Sequence, residues 1–300
     1  MINTHSIFPA KILLFGEYTL ITGSTGLAIP FDRFHASFEK TDNLQTLDSA
    51  FQLNDLCNYL KSSKILSESM DLEQFNHDIN QGLYLNSTIP RGYGIGSSGA
   101  LCAAVYAHYS HDFKRKETYS SDELNHFKDV MALMENFYHG TSSGLDCLIS
   151  LLNKSVLVRE RNQYEIINQP PLKSVGQCYL YDSLTPRKTG SFVYGFLQQY
   201  EADEKYKTII DQHTSLVDTL IENLINKDKE NFKNDMIDLS HFQYLHFADM
   251  ITDEVKEIWM TGLKTKKYFF KLCGAGGGGY FLVYSDDDTF KPSDKFMKIT

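Results

Sequence analysis

The chain has 300 residues and is poor in several things at once. Its five cysteines, Cys57, Cys102, Cys147, Cys178 and Cys273, are scattered and never form a C-x-x-C pair. An odd, dispersed set excludes a disulfide framework and argues against zinc. Several lie in apolar stretches, as reduced core thiols do. Positive charge is also short, with 29 Lys and Arg against 38 Asp and Glu, a net charge of −9. Binding a nucleic-acid backbone needs clustered cations, so no nucleic-acid partner is expected. A small anion held by a few local donors remains compatible. No run of 18 apolar residues exists, so no membrane partner is expected either. Met1–Pro9 carries no Lys or Arg ahead of the apolar Ile12–Phe15, unlike a secretory leader. The expected compartment is the cytoplasm. With 42% apolar residues, the chain has ample material for one large domain or two ordinary ones.

Strands and helices are both legible. Ile12–Leu14, Gly16 and Tyr18–Ile21 read as strand and turn, and Leu27–Phe38 as a second strand, an antiparallel pair near the start. Phe51–Leu66 has a loose helical period, and Leu83–Ile89 is a strand stopped by Pro90. Ser97-Ser98 open a helix over Ala100–Tyr109. Ser120-Ser-Asp-Glu123 is a capping box for a helix from about Asp122 to Tyr138, ended by His139-Gly140. Gly144–Leu152 reads as a helix, and Ser155–Arg159 and Tyr164–Ile167 as a hairpin. Pro170-Pro171 places a boundary near 165–175, dividing the chain into 1–170 and 171–300. Beyond it come a strand at Gln177–Tyr181, helices near 189–200, 204–226, 228–242 and 251–263, and strands at Tyr268–Leu272 and Tyr280–Tyr284 around a glycine run. Strands and helices mixed without regular βαβ alternation indicate an α+β fold.

Two glycine-rich segments carry the strongest local signals. Pro90-Arg-Gly-Tyr-Gly-Ile-Gly-Ser-Ser-Gly99 holds four glycines in eight residues and feeds a helix N-terminus. Unpaired N–H groups and the positive end of the helix dipole would suit phosphate there. A flexible loop with a well-capped helix explains the same pattern. It is not a Walker sequence, since no Lys follows the last glycine, and not G-x-G-x-x-G. Gly274-Ala-Gly-Gly-Gly-Gly279 is longer than a structural turn requires, so its backbone must approach something closely.

Single residues admit two readings each. Lys11, within a strand, is either a solvated edge lysine or the partner of an acid. Asp146 sits among Gly144, Leu145, Cys147, Leu148 and Ile149, so it is partly buried and needs a partner, or it caps a helix. His139 reads as a helix-terminal residue with no chemistry. Thr185-Pro-Arg-Lys-Thr189 could hold a carboxylate at a helix start, or could be a capped, solvated turn.

In order, three motifs resemble those of the galactokinase–homoserine kinase–mevalonate kinase–phosphomevalonate kinase (GHMP) family. They are Pro9-Ala-Lys-Ile-Leu-Leu-Phe-Gly-Glu-Tyr18, Pro90-Arg-Gly-Tyr-Gly-Ile-Gly-Ser-Ser98 and Lys271-Leu-Cys-Gly-Ala-Gly-Gly-Gly-Gly279. Within the family the chain most resembles the mevalonate kinase branch. His139-Gly-Thr-Ser-Ser-Gly-Leu-Asp146 is similar to its H-G-x-P-S-G-x-D segment, and Asp182–Gly195 to its substrate-contacting turn. Tyr18 stands where that branch usually has His, Ser142 where it has Pro, and Ala10 where it has Gly.

The resemblance implies a two-domain α+β fold, with an N-terminal half like ribosomal protein S5 domain 2 and a ferredoxin-like C-terminal half. Nucleotide and substrate would lie in the cleft between them. The implied activity is ATP-dependent phosphorylation of the primary hydroxyl of mevalonate by a monomer or homodimer. Phosphomevalonate kinase, another small-molecule kinase of the family and a non-catalytic sensor are the alternatives. Pro90, Gly92, Gly94, Ile95, Gly96, Ser97, Ser98 and Gly99 would bind ATP, and Ser98 and Glu135 Mg²⁺. Asp146 would take the hydroxyl proton with Lys11 beside it. Glu17, Tyr18, Arg187, Thr189, Gly274, Ala275 and Gly276 would join Lys11 and Asp146 around the substrate. An ordinary aspartic acid titrates near ~3.9 and water near ~15.7, a gap of roughly 16 kcal/mol. Such a base cannot pre-form an alkoxide and takes the proton late, as the loose phosphoryl transition state develops.

Overall fold

The computed structural model describes residues 6–41, 48–160, 163–187 and 190–299. In chain order the first elements are β1 (Phe8–Phe15), α1 (Thr19–Thr22), β2 (Gly26–Lys40), α2 (Asp48–Ser62), α3 (Lys64–Ser69), α4 (Leu72–Asn80), β3 (Leu83–Ser87), α5 (Ser97–Tyr109), α6 (Ser121–His139) and α7 (Leu145–Leu152). Then follow β4 (Ser155–Glu160), β5 (Gln163–Ile167), α8 (Leu172–Val175), β6 (Gln177–Asp182), α9 (Gly190–Ala202), α10 (Glu204–Ile225), α11 (Lys229–His246), α12 (Asp253–Thr265), β7 (Phe269–Leu272), β8 (Tyr280–Ser285) and β9 (Phe296–Lys298). They group into two compact units, one of residues 1–11, 30–90 and 96–154, the other of 12–29, 91–95 and 155–300. Residue 170 lies inside the second, between β5 and α8.

In the first unit the C-terminal part of β2 pairs antiparallel with β3, from Ala36 opposite Ser87 to Lys40 opposite Leu83. The strand stops two residues before the expected Ile89, whose N–H turns back to Ser87 Oγ at 3.2 Å. Helix α5 is small and apolar all round and is buried from Gly99 to Tyr106, packed on α6 and α7. The capping box at α6 forms as read: Glu123 N–H donates to Ser120 Oγ at 3.2 Å and Ser120 N–H to Glu123 Oε2 at 3.0 Å. The helix expected over 51–66 is broken, because Ser63 is extended and separates α2 from α3. Helix α4, unmarked by sequence, is short and starts at Asp71, whose side chain accepts Gln74 N–H at 2.9 Å.

In the second unit the strands run in the order β1-β2-β4-β5, and β4 and β5 form the expected antiparallel hairpin. Tyr18–Ile21 is not extended. Gly16 and Tyr18 take positive φ of 113° and 65°, which ends β1 and starts the one-turn α1. A second sheet has the order β7-β8-β6-β9 with every pair antiparallel. Trp259 of α12 stacks on Phe270 at 5.7 Å and donates its Nε1–H to Ser240 Oγ of α11. Antiparallel sheets with segregated helices are the α+β class expected.

Candidate active site

In the first unit Lys11 lies in the buried middle of β1, and its Nζ is 2.9 Å from Asp146 Oδ1. The lysine side chain is 6% exposed and the aspartate 30%, so the carboxylate keeps an open side. Asp146 occupies the first turn of α7, behind Gly144, where the helix dipole favours its charge. Above the pair sits the start of α5. A Cβ on Gly96 would stand 3.0 Å from Lys11 Cγ, and one on Gly99 would stand 2.9 Å from the Asp146 carbonyl carbon. Glycine at both positions is what lets the helix end come so close. Ala100 N–H makes the first bond of the helix, to Gly96 O at 2.9 Å, which leaves the N–H groups of Ser97, Ser98 and Gly99 ahead of the ladder.

One turn on, Ser98 Oγ donates to Glu135 Oε1 at 2.7 Å and lies 3.0 Å from His139 Nε2. Since the hydroxyl has a single proton, the imidazole is the donor in the second contact. Ser142 Oγ donates to Glu135 Oε2 and accepts Gly144 N–H at 3.0 Å. Glu135 is 4% exposed.

The second unit assembles a different cluster. Gly92 and Gly94 take φ of 76° and 79°. Arg187 N–H donates to Gly92 O at 2.9 Å. Arg187 Nη1 lies 2.8 Å from where a Cβ would stand on Gly94, and equally on Gly274. The two glycines thus make a slot for the guanidinium, and among the described residues no carboxylate forms an ion pair with it. Tyr18 Oη donates to Ala275 O at 2.6 Å, and its ring packs on Phe196 and Phe247. Burial raises the phenol pKa, partly offset by the nearby Arg187 charge, so Tyr18 stays a neutral donor. Gly274 and Gly276–Gly279 all have positive φ. Added Cβ atoms on Gly276, Gly278 and Gly279 would fall 2.5 to 2.7 Å from Met250 O, Thr185 O and Tyr93 O. The close approach expected of this run is to the chain's own backbone.

Comparison with known proteins bears on this geometry. Residues 58–154 match the model of the GHMP kinases N terminal domain. That stretch carries Ser98, Glu135 and Asp146. Mevalonate kinase of Dictyostelium discoideum is 22% identical over 366 residues, covering 97% of this chain and 90% of that protein. The structure of L. major mevalonate kinase in complex with R-mevalonate matches with a TM-score of 0.62 at 17% identity, covering 94% of this chain and 87% of that one. That of Streptococcus pneumoniae phosphomevalonate kinase in complex with phosphomevalonate and AMPPNP also scores 0.62, at 15% identity, over 94% and 92%. The fold is therefore that of GHMP kinases, and by itself it does not separate the two acceptors.

Of the residues expected in the site, Lys11, Gly96, Ser97, Ser98, Gly99, Glu135 and Asp146 come together in the first unit, in which Pro90 also lies. Tyr18, Gly92, Gly94, Arg187, Gly274, Ala275 and Gly276 gather in the second unit, with Ile95 buried beside Gly94 in sequence. Thr189 falls outside the described residues. Glu17 turns away from any open surface: it is buried against the equally buried Lys271, which also donates to Leu272 O. His139, read as a bare helix end, touches Ser98, and Ser142, noted only as a departure from the family pattern, touches Glu135. The i, i+4 spacing of Glu135 and His139 on one helix face was the available signal for the former.

Divalent cations of the Mg²⁺ type take few protein ligands and fill the rest of their shell with phosphate and water. One carboxylate and one hydroxyl in contact fit that chemistry, and Glu135 has no Lys or Arg in ion-pair contact among the described residues. No cluster of three or more His, Cys, Asp or Glu able to hold a metal by itself occurs among them. The donor set therefore suits a cation that arrives with ATP.

Proposed function

We propose that this GHMP kinase transfers the γ-phosphoryl group of ATP to the primary hydroxyl of mevalonate. The observation that carries this reading is the Lys11–Asp146 pair, half open, lying directly beneath the glycine-cleared N-terminus of α5. The N–H groups of residues 96–99, with the loop from Pro90 through Ile95, hold the phosphates. Ser98 and Glu135 hold Mg²⁺, which supplies charge neutralisation on the phosphate oxygens. The acceptor oxygen bonds to the γ-phosphorus, the bond to the β–γ bridging oxygen breaks, and ADP leaves with that electron pair. Asp146 accepts the hydroxyl proton late in this displacement. Lys11, 2.9 Å from the same carboxylate, orients it and offsets charge on the phosphoryl group in transfer. Arg187, in ion-pair contact with no carboxylate among the described residues, takes the carboxylate of the acceptor, for which a planar fork is suited. Thr189, Gly274, Ala275 and Gly276 are further candidates for contact with the acceptor.

The relation to the Dictyostelium enzyme over nearly the whole chain favours mevalonate as acceptor. Phosphomevalonate is the second reading, because the fold matches that kinase equally and Arg91 is an additional exposed cation. Coupled ADP release with mevalonate, phosphomevalonate, galactose and homoserine decides between them. Mevalonate-dependent release is expected, and release with phosphomevalonate alone would overturn the assignment. All five cysteines are buried and outside any disulfide, which suits a reducing compartment. No helix among the described residues is long and apolar enough to cross a membrane.

A further inference from the structure

We infer that Ser142 is a positioning residue for the metal-holding carboxylate of Glu135. This rests on the reading of Ser98 and Glu135 as the groups that hold Mg²⁺. The serine is itself fixed on two sides. Its N–H donates to Asn136 Oδ1 at 2.8 Å, and its hydroxyl oxygen accepts Gly144 N–H at 3.0 Å. With that acceptance made, the hydroxyl proton is directed at Glu135 Oε2. Glu135 Oε1 is engaged separately, by Ser98.

The arrangement matters because the terminal torsion of a glutamate is soft and nearly two-fold. A carboxylate bonded at one oxygen alone swings, and a ligand that swings loses affinity. Two donors at opposite oxygens hold one orientation. Each oxygen keeps a further lone-pair direction, since a carboxylate offers about four acceptor sites in all. Ser98 is held in the same way, because His139 Nε2 fills one of its acceptor sites. The bond from Ser142 also satisfies an oxygen that would be stranded at 4% exposure. Groups that orient a metal ligand in this manner typically govern about 10- to 100-fold in metal affinity.

The test is a calorimetric titration of Mg²⁺ into the full-length protein saturated with AMPPNP, with metal-free AMPPNP binding and thermal unfolding measured alongside. Ser142→Ala is expected to weaken Mg²⁺ about 10- to 100-fold while metal-free nucleotide binding holds. Ser142→Thr, which keeps the hydroxyl, is expected to restore most of the loss. Ser142→Cys keeps the size with a weaker donor and shows the same direction of change should the alanine variant fail to fold. A folded alanine or cysteine variant that titrates like the wild type would overturn the inference. A wild type in which Mg²⁺ does not bind beside AMPPNP would instead overturn the assignment of Ser98 and Glu135, and the inference with it.

Discussion

Lys11 and Glu17 stand six residues apart in the first motif, and each forms a lysine–carboxylate pair of a different kind. Lys11–Asp146 leaves its carboxylate 30% exposed, whereas in Glu17–Lys271 the two side chains are 1% and 0% exposed. The chemistry of the partners is the same, and burial decides what each can do. An open carboxylate can meet an alcohol and take its proton. A sealed one can reach only its own counter-ion, so it holds the turn after β1 to the end of β7, where Lys271 also bonds Leu272 O. Removing one member of a sealed pair strands a charge, which costs more than the intact pair contributes.

The comparison can be broken in four ways, from the largest effect down. Asp146→Asn keeps shape but removes the base, and kcat is expected to fall about 10²- to 10⁴-fold with nucleotide affinity retained. Parallel loss of ATP affinity would make the aspartate structural. Lys271→Met is expected to destabilise the fold by about 3–5 kcal/mol in urea unfolding, and the double change with Glu17→Gln to recover much of it. A single-variant cost under about 1 kcal/mol would show that the pair is not sealed.

The third concerns acid. His213, fully buried against Phe242 and Phe247, has its pKa pushed down to about 3, by burial first and by the Lys271 charge second. The unfolded imidazole, near 6.5, takes up a proton that the folded ring refuses. This contribution is fully present above about pH 6.5 and declines as pH falls toward 3, by at most about 1.4 kcal/mol per unit. His213→Gln should flatten stability against pH between 4 and 6, and an unchanged slope would assign the loss to other groups. The smallest effect is that of Tyr18→Phe, which removes the bond to Ala275 O and is expected to cost ~1 kcal/mol by the same unfolding measurement.

Local chemistry was readable where it is local. The capping box at Ser120 and Glu123 starts α6 because both partners lie within one turn. The loop before α5 was readable because Gly92, Gly94 and Gly96 take φ of 76° to 81°, which other residues adopt at a cost. The one-turn α1 lies in a segment that reads as strand and turn, since four residues are too few for a helical period to show. The break at Ser63 was missed because no Gly or Pro marks it.

Composition and order along the chain thus determined the α+β class, the glycine-loop-to-helix unit and the kinase motifs, because each is written in neighbouring residues. Tertiary structure alone decided which lysine–carboxylate pair keeps an open carboxylate and which is sealed. Lys11 meets a residue far along the chain and Lys271 one 254 positions back, and exposure depends on what packs around both. The same holds for Ser142 and His139, whose meaning comes from hydroxyl and imidazole directions around Glu135 and Ser98. A hydrogen bond is set by a few tenths of an ångström and an angle, and those are fixed by packing.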